Sequence, residues 1–378
     1  MKKIKRIIRN ILKKAVELFY KLFWLFPINN KKIVFSSFGA RTFGDNPKYI
    51  ALECIEELPD YELVYVLRNT NLELPKKIKK VKYNSFIYFY EMATSRVWID
   101  NTRKESHIPK RKGQFYIQTW HGSLSLKKIE KDVEEKLDPQ YVKTAKIDSK
   151  KIDLMITNSD WGQEFFKRCF WYDGKIVKCG SPRVDILFKD NTKLINTLRK
   201  KFNLSDEKIL LYAPTFRESK RLDVYNIDYN RLIHTLEERF GSKWKIFVKL
   251  HPNISDKILN VPDFVINVTD YPDINELYTI SDVMITDYSS GIFDFANLKR
   301  PIFLYAMDLE EYSNERDTYF NLKELPFTLS ENNNQLMKNI KDFNKTDYEK
   351  KLDDFFKNVG LNENGNACKV IINFIKGE

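Results

Sequence analysis

The opening stretch MKKIKRIIRNILKKAVELFYKLFWLF places apolar side chains at Ile4, Ile7, Ile8, Ile11, Leu12, Ala15, Val16, Phe19, Leu22 and Phe23. That three-and-four spacing predicts a helix with a single apolar stripe. Lys2, Lys5, Arg6, Arg9, Lys13 and Lys14 fill the other face, where Glu17 is the one acid. After Pro27 the pattern shortens to apolar runs of strand length. KKIVFSSF (31–38), YELVYVLR (61–68), SRVWIDN (95–101), GQFYIQTW (113–120) and KIDLMITNS (151–159) form a first set. EKILLYAPTF (207–216), WKIFVKLH (244–251), DFVINVTD (263–270), DVMITDYSS (282–290) and RPIFLYAM (300–307) form a second. Helical stretches lie among them. NPKYIALECIEEL (46–58) opens on Asn46 and Pro47, and NRLIHTLEERFG (230–241) closes on Gly241, in keeping with the preferences of helix ends.

Strands alternating with helices predict parallel sheets covered on both faces. Between the two sets runs VDILFKDNTKLINTLRKKFNLSDE, a polar helical connector that marks a domain boundary. The expected architecture is α/β, with two facing, Rossmann-like, doubly wound domains. An N-terminal amphipathic helix occupies 1–28, an N-terminal domain 29–187, and a C-terminal domain with closing helices 188–378.

The opening helix admits two readings. Its longest apolar run, Leu22 to Ile28, contains Pro27 and falls short of the roughly 20 residues needed to span a bilayer. A secretory signal would need a continuous apolar block and a cleavage site of small residues. The almost purely cationic polar face favours a helix lying on an anionic membrane surface, with Trp24 and its phenylalanine neighbours at headgroup level. The same helix would also fit against the protein's own surface or an acidic partner.

Composition narrows the class. The chain has 378 residues, enough for two or three domains. Its four cysteines, Cys54, Cys169, Cys179 and Cys368, form no C-x-x-C pair. That speaks against structural zinc and a disulfide framework, and for a reducing, cytoplasmic compartment. A net charge of +12 suits nucleic acid, anionic lipid or phosphorylated substrates; a well-solvated lysine-rich surface accounts for it equally. No RNP-type motif, zinc module or basic recognition helix occurs outside the N-terminus, so nucleic acid is not the expected partner.

Ligands of doubly wound folds bind outside the carboxyl ends of the strands, and the unusual polar residues fall there. Trp120-His121-Gly122-Ser123 follows FYIQT, and His121 is one of four histidines. Its imidazole titrates near neutrality, so it suits proton transfer, though a lone strand-end histidine also serves as a plain hydrogen-bonder. Thr215 and Arg217 follow YAP. Arg217 offers a fork for phosphate, or pairs with Glu218 at the surface. Lys249 and His251 alternate with apolar neighbours in FVKLHPN, so both are expected on one side of a strand. Asp287-Tyr288-Ser289-Ser290-Gly291 precedes a helix whose first N–H groups would suit a diphosphate, with Asp294 in reach of a ribose hydroxyl; a simple serine cap is the plainer reading. Arg183 in CGSPRVD and the polar loop of Arg41, Thr42, Asp45, Asn46 and Lys48 complete the set.

SFGARTFGDNPKYI, QTWHG, GSPRVD, YAPTFRE, KLHP, TDYSSGIFDF and RDTYF occur in that order over residues 31–325. Together they resemble the CDP-glycerol glycerophosphotransferase family, the teichoic acid glycerol-phosphate primases and polymerases. The resemblance implies a GT-B-like fold and a peripheral enzyme at the cytoplasmic face of the cell membrane. It implies transfer of a polyol phosphate from CDP-glycerol or CDP-ribitol to an undecaprenyl-linked saccharide acceptor of a cell-wall or capsule polymer, with release of CMP. His121 and His251 then match the family's essential histidines. Trp120, Gly122, Ser123, Arg183, Thr215, Arg217, Lys249, Ser289, Ser290 and Asp294 fall on substrate-holding positions.

One departure stands out: the family's Thr-Pro-Leu-Lys-Lys after Trp-His-Gly is here Ser123-Leu124-Ser125-Leu126-Lys127-Lys128, one residue longer, in a loop expected to face the acceptor. His121 is the expected base, with His251 and Lys249 on the departing phosphate. No acidic metal cluster is legible, and an ion bridging the diphosphate stays open. A GT-B glycosyltransferase using a nucleotide sugar is the competing enzyme, and a basic lipid-binding protein without catalysis the competing non-enzyme.

Overall fold

The computed structural model describes residues 2–217, 223–250, 261–315 and 317–377. The chain divides into two compact units. The first comprises Met1–Ser123, Ile129–Asp185 and Asn362–Glu378; the second comprises Leu124–Lys128 and Ile186–Leu361. The expected boundary at 187/188 therefore falls at 185/186. Residues 362–378, expected with the C-terminal domain, belong to the first unit. Asp185 explains this: its carboxylate accepts the Ala367 and Cys368 amides at 3.0 and 2.8 Å, capping the helix Ala367–Lys376.

The first unit holds seven strands: β1 Asn29–Ser36, β2 Glu62–Leu67, β3 Ile78–Lys82, β4 Ser95–Asp100, β5 Phe115–Gln118, β6 Leu154–Thr157 and β7 Lys175–Lys178. They lie in the order β3-β2-β1-β4-β5-β6-β7, all parallel. The second unit holds β8 Lys208–Tyr212, β9 Trp244–Val248, β10 Val265–Asn267, β11 Val283–Thr286, β12 Ile302–Tyr305 and β13 Thr328–Ser330. Their order is β10-β9-β8-β11-β12-β13, again parallel. Each sheet reverses its winding beside its first strand, between β1 and β4 and between β8 and β11. In such sheets that switch point opens a crevice at the carboxyl ends. The strands β6, β11 and β12 are buried at every residue, as a sheet covered on both faces requires.

Ten strands match the expected runs. β3, β7 and β13 were not among them. β3 reads IKKVK and β7 KIVK; both are edge strands, and lysine-rich edges resist pairing with other chains while hiding the apolar pattern. β13 has only three residues.

The opening helix spans Lys2–Leu22. Tyr20 and Phe23 are fully or nearly fully buried, Tyr20 tilted against Phe89 and Phe23 edge-on against Phe86 of the helix Phe86–Thr94. Arg111 donates to the carbonyls of Trp24 and Phe26 at 3.0 and 2.9 Å, holding the end of the segment. The face that docks thus runs through Tyr20 and Phe23. Ile8, Ile11, Leu12, Leu18, Leu22 and Leu25 stay exposed, together with Phe86 and Ile87. No helix among the described residues is long and apolar enough to cross a membrane.

Candidate active site

In the first unit, β5 ends at Gln118, whose amide holds the chain on either side. Its Oε1 accepts the Trp120 amide at 2.9 Å, and its Nε2 donates to the Thr102 carbonyl at 2.9 Å. Trp120 then takes a φ of 48°, an unusual backbone for a bulky residue. The turn swings His121 beneath the indole, with ring centroids 4.3 Å apart. Behind Trp120 and Phe170 lies the Arg103 guanidinium, 5.8 and 4.7 Å from their rings. It donates to Glu130 at 2.8 Å and to Ser149 Oγ at 2.8 Å, with the fully buried Asp148 3.6 Å away.

His121 Nδ1 lies 2.9 Å from the Asn101 carbonyl. A carbonyl oxygen can only accept, so Nδ1 carries the hydrogen and Nε2 keeps its lone pair. The side chain has an exposed edge. Desolvation by the protein around the remainder lowers its pKa below the ordinary 6.5, against the opposing pull of the Asn101 hydrogen bond and Asp45. The imidazole is therefore neutral at pH 7, with Nε2 ready to take a proton.

Asn46 joins this loop to two others. Its Nδ2 donates to the Trp120 carbonyl at 3.0 Å, and its Oδ1 accepts the Arg183 amide at 3.1 Å. Arg183 Nη1 reaches Asp45 at 3.2 Å, and both residues act electrostatically on His121. Phe38, Ala40, Asp45, Trp120 and Glu130 all have φ between 47° and 65°. Such conformations are costly for residues with a Cβ and cluster where the surroundings enforce a geometry. A Cβ on Gly122 would meet nothing within 4 Å, so packing does not demand glycine there.

In the second unit the expected phosphate fork is committed elsewhere. Arg217 Nε donates to Asp308, Nη2 to Asp287 and Asp308, and Nη1 to the Thr215 carbonyl and Oγ1. All five N–H groups of the guanidinium are thus engaged. Arg217 also lies over Tyr288 and Tyr312, whose rings stack 3.5 Å apart. Burial alone would lower its pKa; the two carboxylates outweigh that and raise it. Arg217 is therefore a buried, ion-paired arginine that holds the loops around it, not a surface arginine. It ties the chain after β8 to the chains after β11 and β12, since Asp287 also accepts the Thr215 amide at 2.9 Å.

Lys249 lies just past the end of β9, which stops at Val248, so it does not project from a strand as expected. Its Nζ donates to the carbonyls of Thr269 and Tyr271 at 3.1 and 2.6 Å. Burial lowers its pKa, countered by Asp273 and Asp270. Ser289 Oγ accepts the Gly291 amide at 3.2 Å, and Ser290 Oγ accepts the Leu126 amide at 3.1 Å. Each hydroxyl keeps its own hydrogen to donate. The helix that follows, Gly291–Phe295, has five residues, too short for a strong terminal dipole, so the hydroxyls matter more here than the expected helix start. Asp294 is buried within it. The loop expected to face the acceptor is built into this unit: Lys127 bridges to Thr318, and the Tyr319 amide donates to the Leu126 carbonyl at 2.8 Å. His251 lies outside the described residues. Among those described, no three His, Cys, Asp or Glu side chains gather in a group suited to a metal ion.

Residues 18–377 match the family model described as CDP-glycerol:poly(glycerophosphate) glycerophosphotransferase. The chain is 32% identical over 358 residues to the teichoic acid glycerol-phosphate transferase of Staphylococcus aureus, covering 91% of both chains. It is 31% identical over 362 residues to the teichoic acid poly(glycerol phosphate) polymerase of Staphylococcus epidermidis; 91% of this chain is covered, but it spans only 50% of that relative's length. Among solved structures it is similar to a histidine-to-asparagine variant of the wall teichoic acid polymerase TagF soaked with CDPG. The TM-score is 0.85 at 29% identity, over all of this chain and 97% of that one.

Proposed function

The chain belongs to the CDP-glycerol:poly(glycerophosphate) glycerophosphotransferase family, and on that premise we propose that it transfers glycerol phosphate from CDP-glycerol to a hydroxyl of a lipid-linked cell-wall glycopolymer. The observation that carries the reading is the 2.9 Å contact of His121 Nδ1 with the Asn101 carbonyl, which leaves Nε2 as the ring's proton acceptor. The acceptor oxygen forms a bond to the phosphorus that bears the glycerol. The bond from that phosphorus to the bridging oxygen breaks, and CMP leaves with the electron pair. The acceptor's proton passes to His121 Nε2. Such transfer depends on positioning and charge neutralisation more than on covalent catalysis.

Arg183 supplies positive charge beside the base, and Trp120, Gly122 and Ser123 shape its surroundings. The hydroxyls of Ser289, Ser290 and Thr215 donate to the donor's phosphates, with Lys249 in support and Asp294 toward the ribose. Arg217 holds the loops that present these hydroxyls. His251 keeps the role implied by the family motif, on the departing phosphate. A divalent ion on the diphosphate is compatible with these roles and is not needed for the proton step.

The exposed apolar side chains of the first helix, continued by Phe86 and Ile87, support a peripheral position at the cytoplasmic membrane face, where lipid-linked acceptors lie. Incubation with CDP-glycerol, CDP-ribitol or a UDP-sugar, each with a lipid-linked acceptor, tests the reading by product mass. CMP release with addition of glycerol phosphate is expected. Release of UDP with a sugar adduct, and no reaction with either CDP-polyol, would replace it with glycosyl transfer.

A further inference from the structure

The turn after β1 carries two arginines that the transfer chemistry leaves unused. Phe38, Gly39 and Ala40 have φ of 47°, 63° and 65°, and the Arg41 amide closes the turn on the Ser37 carbonyl at 3.2 Å. A left-handed turn is costly for Phe38 and Ala40, and it is held from several sides. The Phe38 and Gly39 amides donate to Asn101 Oδ1 and Thr102 Oγ1 at 2.8 and 3.2 Å. The Arg68 amide donates to the Ala40 carbonyl at 2.6 Å.

Two guanidinium groups gather on this turn. Arg41 Nη1 donates to the Phe38 carbonyl at 3.3 Å, and Arg68 Nε to the Gly39 carbonyl at 2.8 Å. Arg68 is further oriented by the Tyr83 ring, 4.8 Å from its centre. Both arginines are exposed. Neither has a carboxylate at ion-pair distance among the described residues, and each retains most of its five N–H donors. The turn is coupled to the base: the Phe38 ring lies 5.6 Å from the His121 ring, and Phe38 and His121 both hydrogen-bond to Asn101.

We propose that Arg41 and Arg68 form an anion subsite that receives a phosphate ester of the acceptor, beside the hydroxyl that His121 deprotonates. The inference rests on the transfer reading above. A glycerol-phosphate chain carries a phosphodiester one glycerol unit from its terminal hydroxyl. Paired guanidinium forks recognise such a group by charge and by parallel hydrogen bonds. Anchoring the phosphate fixes the terminal hydroxyl in register with Nε2. It also gives the site a means of preferring an acceptor that already bears a phosphate over an uncharged one.

The test is calorimetric binding of a short glycerol-phosphate oligomer to the full chain, with CDP-glycerol binding measured separately. The double variant Arg41→Gln/Arg68→Gln is expected to bind the oligomer about tenfold or more weakly, the scale of charge-assisted hydrogen bonds lost. Its CDP-glycerol affinity should stay within about twofold, and the salt dependence of oligomer binding should flatten. Arg41→Gln alone removes one long hydrogen bond from the fold, so it decides the matter if the double variant does not fold; about threefold weaker oligomer binding is expected. Unchanged oligomer binding in a variant with native thermal unfolding would overturn the subsite. Failure of the transfer reading shows separately, as no CMP release by the wild-type chain. Oligomer binding that is lost only in the variants would still uphold the subsite in that event.

Discussion

The Nδ1 atom of His121 lies 2.9 Å from the main-chain oxygen of Asn101. Because the partner is a backbone carbonyl, the tautomer is set by the fold at the end of β4 and not by any titratable neighbour. With four histidines in the chain, nitrogen-15 NMR of histidine-labelled protein can resolve the ring. The expected spectrum at pH 7 is that of a neutral Nδ1–H imidazole, titrating below 6.5. An Nε2–H tautomer, or an imidazolium at pH 7, would remove the base from the account.

Asn46 is the link that sets His121 and Arg183 in register. Aspartate at 46 keeps the shape and still accepts the Arg183 amide, but it cannot donate to the Trp120 carbonyl. Asn46→Asp is expected to cost about 1–3 kcal/mol of stability and to lower kcat by about tenfold or more while CDP-glycerol binding persists. The added carboxylate should also raise the His121 pKa and move the acid limb of the rate profile upward. A variant with native kcat and an unmoved profile would show that the bridge does not position the base.

Arg217 binds two carboxylates through Nε and Nη2, and the Thr215 oxygens through Nη1, so truncating it strands Asp287 and Asp308. Arg217→Met is expected to destabilise the protein by about 3–5 kcal/mol, read as a large drop in unfolding temperature, and Arg217→Lys by somewhat less. A diphosphate ligand would behave differently: its loss would weaken donor binding and leave thermal unfolding unchanged.

Asp148 is fully buried, and neither of its carboxylate oxygens has a hydrogen-bond partner. Burial raises its pKa to about 6 despite Arg103. An acid whose folded pKa is raised favours the folded state at low pH and loses that contribution as pH climbs through the folded value. Stability should therefore fall between about pH 4 and 6.5, by on the order of 3 kcal/mol. Asp148→Asn should flatten that slope, measured by urea unfolding across this range. An identical slope in the variant would assign the dependence to other groups.

The strand ends that carry the candidate residues were legible where their signal was local. An apolar run ending in Trp-His-Gly-Ser, or in Asp-Tyr-Ser-Ser-Gly, announces a strand and its carboxyl end together, and the switch-point rule then applies within each sheet. The partners of Arg217 escaped because its nearest acid in sequence is Glu218, while the carboxylates it binds lie 70 and 91 residues away. Asn46 was seen as part of a polar loop, but its role depends on partners 74 and 137 residues distant. No pattern within a window reveals such pairings. The return of the last helix to the first unit rests likewise on Asp185, 182 residues from the amide it caps. The docked face of the first helix escaped for a different reason. Its apolar residues outnumber what one contact can bury, so periodicity gives the stripe but not which edge of it packs.

The most direct test is the pH dependence of kcat/KM for CMP release from CDP-glycerol in the presence of acceptor. Activity should fall as pH drops through a single ionisation below 6.5, and His121→Ala should abolish turnover while preserving the fold. A rate that stays level from pH 5 to 7, or a His121→Ala protein that still releases CMP near the wild-type rate, would contradict the assignment of His121 as the base.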